Sequence, residues 1–303
     1  MGVLALPLDM NTQIETLTSY PISGLSGEML IPSDKSISHR ALILGGMAIG
    51  QTKVSGLLMG ADVLSTLKAM RSLGVNITAD AGSITIDGVG SGGFIPPNAP
   101  LDLGNAGTGV RLLMGAVAGQ PISAMFTGDA SLKKRPMKRI TDPLAMMGAQ
   151  IAFTQEGDEK GYLPVTITGA QPPLPLSYEM PVASAQIKSA ILFAALNARG
   201  KTIVTEPHLS RDHSEMMLSH FGVGLSREML KDGRHRITLE GEVDLHAKDI
   251  FVPRDPSSAA FAIVAALITD GSHITLPGIS LNPQRTGLIT TLKEMGGNIV
   301  IEN

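Results

Sequence analysis

Cationic side chains cluster in the segment IPSDKSISHRALILGGMAIG, which occupies residues 31–50. Lys35, His39 and Arg40 crowd the start of an apolar stretch that ends at Gly50. The pattern predicts a strand end, a polar loop and then a helix, whose N-terminus already carries partial positive charge and disfavours cations. Added cations become favourable there when an anion binds, because they and the backbone N–H groups then face one negative group. The segment therefore predicts a phosphate or carboxylate site.

Three further segments have the same character, and each precedes an apolar stretch: NAGTGVR, ASAQIKS and DPSSAA. Their Ser, Thr, Asn and Asp residues are ordinary helix N-caps, so capping alone explains any one of them. Arg111 and Lys188 add cations to the second and third segments. If these segments lie at one end of a pseudo-symmetric domain, several helix N-termini point to a common region. We therefore expect one shared anion site.

The segment SLKKRPMKRI carries five cations at positions 133, 134, 135, 138 and 139. A run of this kind is usually a solvated surface, and we expect that for most of its members. Pro136 suits the first turn of the following helix. That placement would bring Arg135 to the anion site.

The chain repeats with a period of 74 residues. The segments LGVNI, MGAQI, FGVGL and MGGNI place glycines at 74, 148, 222 and 296, each after a helix-like stretch. Glycine in this position predicts a left-handed helix stop. Each repeat reads as strand, polar loop, apolar helix, strand, amphipathic helix, strand, turn and strand.

The four apolar stretches ALILGGMAI, LLMGAVA, AILFAAL and AAFAIVAALI are hydrophobic nearly all round, which predicts buried helices. The strands SITIDG, PVTITG and RITLEG alternate apolar and polar residues, which predicts sheets with one wet face. The fold class is thus α/β: an inside-out α/β barrel of repeated βαβαββ units, with helices inside and sheets outside. The fourth unit reaches Asn303 before its last strand, so we expect a ring of such units to be incomplete.

Composition excludes several classes of protein. The 303 residues are 43% hydrophobic, which supports a globular chain of two domains. A net charge of -3, ten Phe and Tyr residues and no Trp argue against nucleic-acid binding. There is no cysteine for disulfides or thiolate chemistry, no basic leader and no apolar run near membrane-spanning length. We expect a soluble cytoplasmic protein.

Two further motifs resemble a dinucleotide-binding site and a zinc site, but neither meets the requirements of that site. GVGSGG matches a dinucleotide-binding spacing, but FIPP follows where a helix is required. RDHSEMMLSH offers His213, Glu215 and His220, but it lacks the HExxH spacing of a zinc site. We therefore predict neither a metal nor a cofactor.

The chain resembles the 5-enolpyruvylshikimate-3-phosphate (EPSP) synthases of aromatic amino-acid biosynthesis. The resemblance runs from Leu25 to Asn303 and rests on the ordered motifs DKSISHRA, LGNAGTGVR, KRPM, SAQIKSA, RDHSEMML and DPSSAAF. It implies the enolpyruvyl transferase fold, with two domains of three units each. Six units are expected and four are present, so the resemblance implies that the C-terminal third is missing. With crossings near Pro32 and Pro253, residues 33–253 would form the complete domain, and residues 1–32 and 254–303 a partial second one.

The resemblance also assigns residues. It implies that shikimate 3-phosphate is bound by Lys35, Ser36, Arg40, Ser184, Ala185, Gln186 and Arg211. It implies that phosphoenolpyruvate, and glyphosate in competition with it, is bound by Lys35, Gly107, Arg135 and Gln186. Lys35 is shared by both sets and is the expected catalytic residue.

SAQIK and RDHSE resemble the glyphosate-insensitive class. Ser33 and Gln284 depart from that class, and Gly107 is usual in sensitive enzymes, so tolerance stays open.

The implied reaction moves the enolpyruvyl group of phosphoenolpyruvate to the 5-hydroxyl of shikimate 3-phosphate. The reaction needs an acid and a base for its proton transfers, and in the family the principal carboxylates lie in the fifth unit. This chain alone is therefore expected to be inactive. A complementary C-terminal chain is a candidate partner, and the complete protein is expected to be a monomer.

One alternative is a fragment that binds shikimate 3-phosphate without turnover. Another is a UDP-N-acetylglucosamine enolpyruvyl transferase, although its characteristic loop cysteine is absent. RNA 3'-phosphate cyclases are disfavoured by the acidic balance.

Overall fold

The structure is a computed structural model that describes residues 18, 20–80, 82–154 and 159–302. Most of residues 1–32, predicted as part of a second domain, therefore lie outside the described residues. The described helices are α1 Lys35–Met47, α2 Ala61–Ser72, α3 Gly107–Ala118, α4 Lys138–Met146, α5 Ala185–Ala195, α6 His213–His220, α7 Pro256–Ile268 and α8 Gly287–Glu294. The described strands are β1 Ser26–Glu28, β2 Ala48–Ser55, β3 Asn76–Asp80, β4 Ser83–Val89, β5 Leu101–Asp102, β6 Ser123–Thr127, β7 Gln150–Phe153, β8 Val165–Thr168, β9 Ser177–Glu179, β10 Lys201–Glu206, β11 Leu225–Met229, β12 His235–Glu240, β13 Leu245–His246, β14 Ile250–Phe251 and β15 His273–Thr275.

The predicted repeat is present in the structure, except that the β-segment expected after Gly296 is absent: residues 297–302 form no strand. Its four glycines, Gly74, Gly148, Gly222 and Gly296, have φ angles of 93°, 97°, 92° and 93°. Each follows an amphipathic helix, so the left-handed stops are confirmed. The second and third units form sheets with the same strand order, β5-β6-β8-β7 and β9-β10-β12-β11.

The first and fourth units exchange strands. In the sheet of the first unit, β13 and β14 pair in parallel with β2 and occupy the place that β5 and β9 hold in the other sheets. In return, β1 pairs in parallel with β15 of the fourth unit. The two chain crossings run side by side, because the N–H of Asp34 donates to Pro253 O (2.8 Å) and that of Asp255 to Pro32 O (2.9 Å). This exchange lies where the domain bounds were predicted, and those bounds stay a prediction.

The core confirms the inside-out arrangement. Helices α1, α3 and α5 are buried almost throughout and lie behind the three larger sheets. A Cβ built on Gly115 of α3 would lie 2.3 Å from Ala190 O of α5, so only glycine permits this close contact. The alternating strands place Ile86, Val165 and Leu239 in the core. Each sheet remains open, and none closes into a barrel within the described ranges.

The fourth apolar helix differs from the prediction of burial. Only Pro256 and Ala259 of α7 are buried, whereas Phe261 is 82% exposed and Ile268 is 78% exposed. The expectation is wrong for this helix here, because no larger sheet covers α7 in the described part of the chain.

Among the residues with described positions, no helix is both long and apolar enough to cross a membrane.

Candidate anion-binding site

The starts of three buried helices meet at one small cavity. Helix α1 contributes two side chains, α3 one and α5 two residues, and Arg211 and His213 at the start of α6 complete the wall. The lining residues are Ser36, Arg40, Thr108, Ala185, Gln186, Arg211 and His213. Five of the predicted shikimate 3-phosphate residues therefore lie together. Helix N-termini that converge in this way favour an anion.

Arg40 is fixed in the wall of this cavity. Its Nε donates to Ser214 Oγ (2.7 Å), its Nη2 to Ser189 Oγ (3.0 Å) and its Nη1 to Ser36 O (3.0 Å). Burial lowers the pKa of Arg40 to about 10, and the charge of Glu215 opposes that change. Arg40 is therefore a rigid cation at neutral pH.

Arg211 reaches the same cavity from the segment before α6. Burial and then the charge of Arg285 lower the pKa of Arg211, and the charge of Arg211 in turn lowers that of Arg40. Two guanidinium groups at close range repel each other, and an anion between them removes the repulsion. The residue patterns alone did not identify Arg211, which was found through the family motif RDH.

Gln186 connects this cavity to a second cationic group. Its Oε1 accepts from Arg111 Nη1 (3.0 Å), and its Nε2 donates to Thr108 Oγ1 (3.2 Å). Burial, followed by the charges of Arg139 and Arg135, lowers the pKa of Arg111 to about 10. The sequence indicates Arg111 only as a general cation and gives no signal for Thr108, which directly follows Gly107.

Gly107 and Arg135, which the resemblance assigns to one subsite, are neighbours. A Cβ built on Gly107 would lie 2.7 Å from Arg135 Nη1 and 3.3 Å from Arg111 Nη1. Arg135 Nη2 donates to Asn105 Oδ1. Pro136 does not occupy a first helical turn, because α4 begins only at Lys138. A 3₁₀ turn, Leu132–Lys134, positions Arg135 instead, and the other four cations of this run are exposed.

Lys35 and Ser184 lie at the edges of the site. Lys35 is the first residue of α1, is half exposed, and pairs with Asp62 Oδ2 at 3.1 Å. Asp62 was not anticipated. Ser184 is the N-cap of α5, and its side chain accepts from Ile187 N.

Lys188 and His39, two cations expected at the anion site, do not supply free positive charge to the cavity. Lys188 is fully buried, and its Nζ contacts Glu206 Oε1 (3.0 Å) and Glu215 Oε1 (2.7 Å), so its charge is already neutralised. Burial lowers the pKa of His39 to about 4, and its Nδ1 lies 2.8 Å from Thr66 Oγ1. His39 is therefore neutral at pH 7.

Among the described residues, no group of three or more His, Cys, Asp or Glu side chains could hold a metal ion.

Buried helices lie behind outer sheets, and cationic helix starts meet at one cavity, as in an enolpyruvyl transferase fold. The family described as EPSP synthase (3-phosphoshikimate 1-carboxyvinyltransferase) matches residues 19–303, and the chain belongs to this family.

Similar proteins agree with this assignment. A 3-phosphoshikimate 1-carboxyvinyltransferase of Ruegeria sp. (strain TM1040) is 56% identical over 288 residues, which cover 95% of this chain and 63% of the relative. That of Roseobacter denitrificans is 54% identical with the same coverage. The solved EPSP synthase of Acinetobacter baumannii has a TM-score of 0.83 and 46% identity, and the match covers 92% of this chain and 61% of that one. The chain thus spans less than two thirds of the length of these proteins.

Proposed function

We propose that this chain carries the shikimate 3-phosphate site of an enzyme that transfers the enolpyruvyl group of phosphoenolpyruvate to the 5-hydroxyl of shikimate 3-phosphate. The products are 5-enolpyruvylshikimate 3-phosphate and phosphate. The observation that supports this function best is the placement of Arg40 and Arg211 in one cavity at three helix N-termini. The printed names of the relatives describe the same carboxyvinyl transfer.

The geometry supports two adjoining subsites. Ser36, Arg40 and Arg211 would bind the phosphate of shikimate 3-phosphate, with Ser184 and Ala185 at the start of α5 beside it. Gly107 and Arg135 would bind phosphoenolpyruvate, because Gly107 leaves the guanidinium of Arg135 accessible at the start of α3. Gln186 belongs to both subsites, since it lines the cavity and also contacts Arg111.

The guanidinium groups of the site would offset the charge repulsion between the two anionic substrates. Two like unit charges about 5 Å apart repel by roughly 3 kcal/mol at an effective dielectric constant of about 20. Both substrates carry several negative charges, so fixed guanidinium groups must offset this repulsion before the reacting atoms can meet. Arg40 and Arg111 are held in place by hydrogen bonds and need no rearrangement.

The reaction balances without a cofactor. The 5-hydroxyl oxygen bonds to C2 of phosphoenolpyruvate, the hydroxyl proton is lost, and C3 gains a proton. The tetrahedral adduct then loses phosphate from C2 and a proton from C3. Lys35 is our proposed catalytic residue, which would exchange its contact with Asp62 for phosphoenolpyruvate.

The described lining of the cavity contains no carboxylate. We therefore propose that the chain alone binds shikimate 3-phosphate without turnover and that a complementary chain supplies the carboxylates that transfer protons. The exposed apolar side chains of α7 would pack against that partner. On this proposal residues 33–253 form the binding domain, the completed protein is a monomer, and the cytoplasm is its location.

A phosphate-release assay with both substrates tests the proposal. The chain is assayed alone and then mixed with a polypeptide that supplies the remaining length of the relatives, and we expect turnover only after mixing. Calorimetry should show shikimate 3-phosphate binding to the chain alone and a large loss of affinity for Arg40→Ala. A folded chain that does not bind shikimate 3-phosphate would refute the proposed site. Turnover by the chain alone would refute the need for a partner.

Two other assignments are distinguished by the same experiments. A purely non-catalytic binder would bind shikimate 3-phosphate and remain inactive after mixing. A UDP-N-acetylglucosamine enolpyruvyl transferase is not favoured by the family match, and it would release phosphate only with the sugar nucleotide.

A further inference from the structure

His213 is the first residue of α6, and it lines the anion cavity with Arg40 and Arg211. It is only 4% exposed, and neither Nδ1 nor Nε2 has a hydrogen-bond partner among the described residues. Buried polar side chains in folded proteins are nearly always hydrogen-bonded. An unpaired ring that faces a cavity with two guanidinium groups is therefore placed to contact whatever binds there.

The charge state of the ring limits what it can do. Burial, followed by the charges of Arg40 and Arg285, lowers the pKa of His213 to about 4, and Asp212 opposes this change. The ring is neutral at pH 7, so it has one N–H donor and one nitrogen acceptor. It can donate a hydrogen bond to an anion without adding a third charge beside Arg40 and Arg211.

His39 provides the contrast. It is also buried and neutral, but its Nδ1 lies 2.8 Å from Thr66 Oγ1 and it is absent from the cavity lining. Burial and loss of charge are thus shared by the two histidines. The position in the cavity wall and the two unpaired nitrogens distinguish His213.

We propose that His213 is a specificity-determining residue, which donates a ring N–H to the phosphate group held by Arg40 and Arg211. It thereby favours a phosphorylated ring ligand over the same ring without phosphate. This inference rests on the proposed function. It adds a neutral imidazole donor beside the two guanidinium groups.

Calorimetry on three variants tests the affinity. His213→Leu removes the donor, and it should weaken shikimate 3-phosphate binding about tenfold, equivalent to about 1.4 kcal/mol, while binding of unphosphorylated shikimate stays unchanged. His213→Gln retains an N–H donor and should stay within about threefold of the unmodified chain. His220→Gln is the matched control, because His220 is exposed and does not line the cavity; its Nε2 lies 3.0 Å from Asp249 O, and its ring contacts Phe221 edge-on.

Nitrogen NMR provides a readout on the unmodified chain, in case His213→Leu does not fold. The chain is labelled with ¹⁵N-histidine, and His213→Gln identifies the His213 signals among the seven histidines. Adding shikimate 3-phosphate should shift the protonated ring nitrogen of His213, and adding shikimate should not.

The outcomes separate the two proposals. If the unmodified chain binds shikimate 3-phosphate, but the His213 signals stay in place and His213→Leu binds equally well, the role of His213 is refuted and the proposed site stands. If the folded, unmodified chain does not bind shikimate 3-phosphate at all, the proposed function and the role of His213 both fail.

Discussion

Replacing Lys188 by methionine should destabilise the protein strongly, because Lys188 is the single basic partner of two buried carboxylates in the described structure. Its Nζ lies 3.0 Å from Glu206 Oε1 and 2.7 Å from Glu215 Oε1, and all three side chains are at most 1% exposed. Removing one partner of a buried ion pair typically costs about 3–5 kcal/mol. Methionine retains the length of the lysine stem, so the change is chiefly one of charge.

The structure also fixes how this loss depends on pH. Burial raises the pKa of Glu215 above its ordinary value of 4.5, and Lys188 opposes that increase. Without Lys188, a carboxyl group of the folded variant should bind a proton at pH 7, at a cost of about 1.4 kcal/mol for each pH unit above 4.5, or roughly 3.5 kcal/mol. The folded variant then holds more protons than the unfolded chain, so its stability rises as pH falls. The loss should shrink to about 1.4 kcal/mol near pH 5.5.

Urea unfolding followed by circular dichroism at pH 7 and pH 5.5 measures both quantities. Lys201→Met is the matched control, because Lys201 Nζ lies 3.9 Å from Glu240 Oε2 and both side chains are more than 60% exposed. That surface pair should contribute less than about 1 kcal/mol. The expected role of Lys188 would be refuted if both variants lost the same free energy of unfolding, or if the loss in Lys188→Met did not change with pH. Either result would show that Lys188 does not neutralise the buried carboxylates.

Two further substitutions test the site and the crossing. Gly107→Ala places a Cβ 2.7 Å from Arg135 Nη1 and should displace that guanidinium, which weakens phosphoenolpyruvate binding in the presence of shikimate 3-phosphate about tenfold in calorimetry. The melting temperature of this variant should not fall, because alanine suits a helix better than glycine. Gly224→Ala is the control, because no atom lies within 4 Å of a Cβ built on Gly224. Equal phosphoenolpyruvate affinities in both variants would contradict the assignment of Gly107 to that subsite. Arg285→Ala should lower the free energy of unfolding by about 1–3 kcal/mol, because Arg285 pairs with Asp34 Oδ2 (3.3 Å) and Asp255 Oδ1 (2.8 Å), the N-caps of α1 and α7. Hydrogen exchange at Asp34 and Asp255 should accelerate with it, and unchanged exchange would mean that Arg285 does not hold the two crossings together.

The periodic features of the fold were predictable from the sequence. The 74-residue spacing located the helix stops, which the positive φ angles at Gly74 and its three equivalents confirm. The all-round apolar pattern predicted burial correctly for α1, α3 and α5. It failed for α7, because burial also depends on a covering layer, and hydrophobicity does not specify which layer is present.

The site was predictable only in part, because its contacts join distant parts of the chain. Arg40 is held by Ser214, 174 positions later, and no periodicity links the two. Lys188 looked like a ligand contact because it lies one turn into a helix, but Glu206 and Glu215 come from later segments. His213 looked like a weak metal motif, and its position in the cavity wall follows from tertiary packing alone.

The strand exchange between the first and fourth units affects the order of events during synthesis on the ribosome. The second and third units contain every strand of their own sheets, so each can close as soon as it emerges. The first unit was made earlier, yet β2 acquires its parallel neighbours only when Leu245 and Ile250 have been translated. Strand β2 should therefore be among the last parts of the first unit to become protected, and a nascent-chain proteolysis series would show residues 48–55 cleaved until β13 and β14 have emerged.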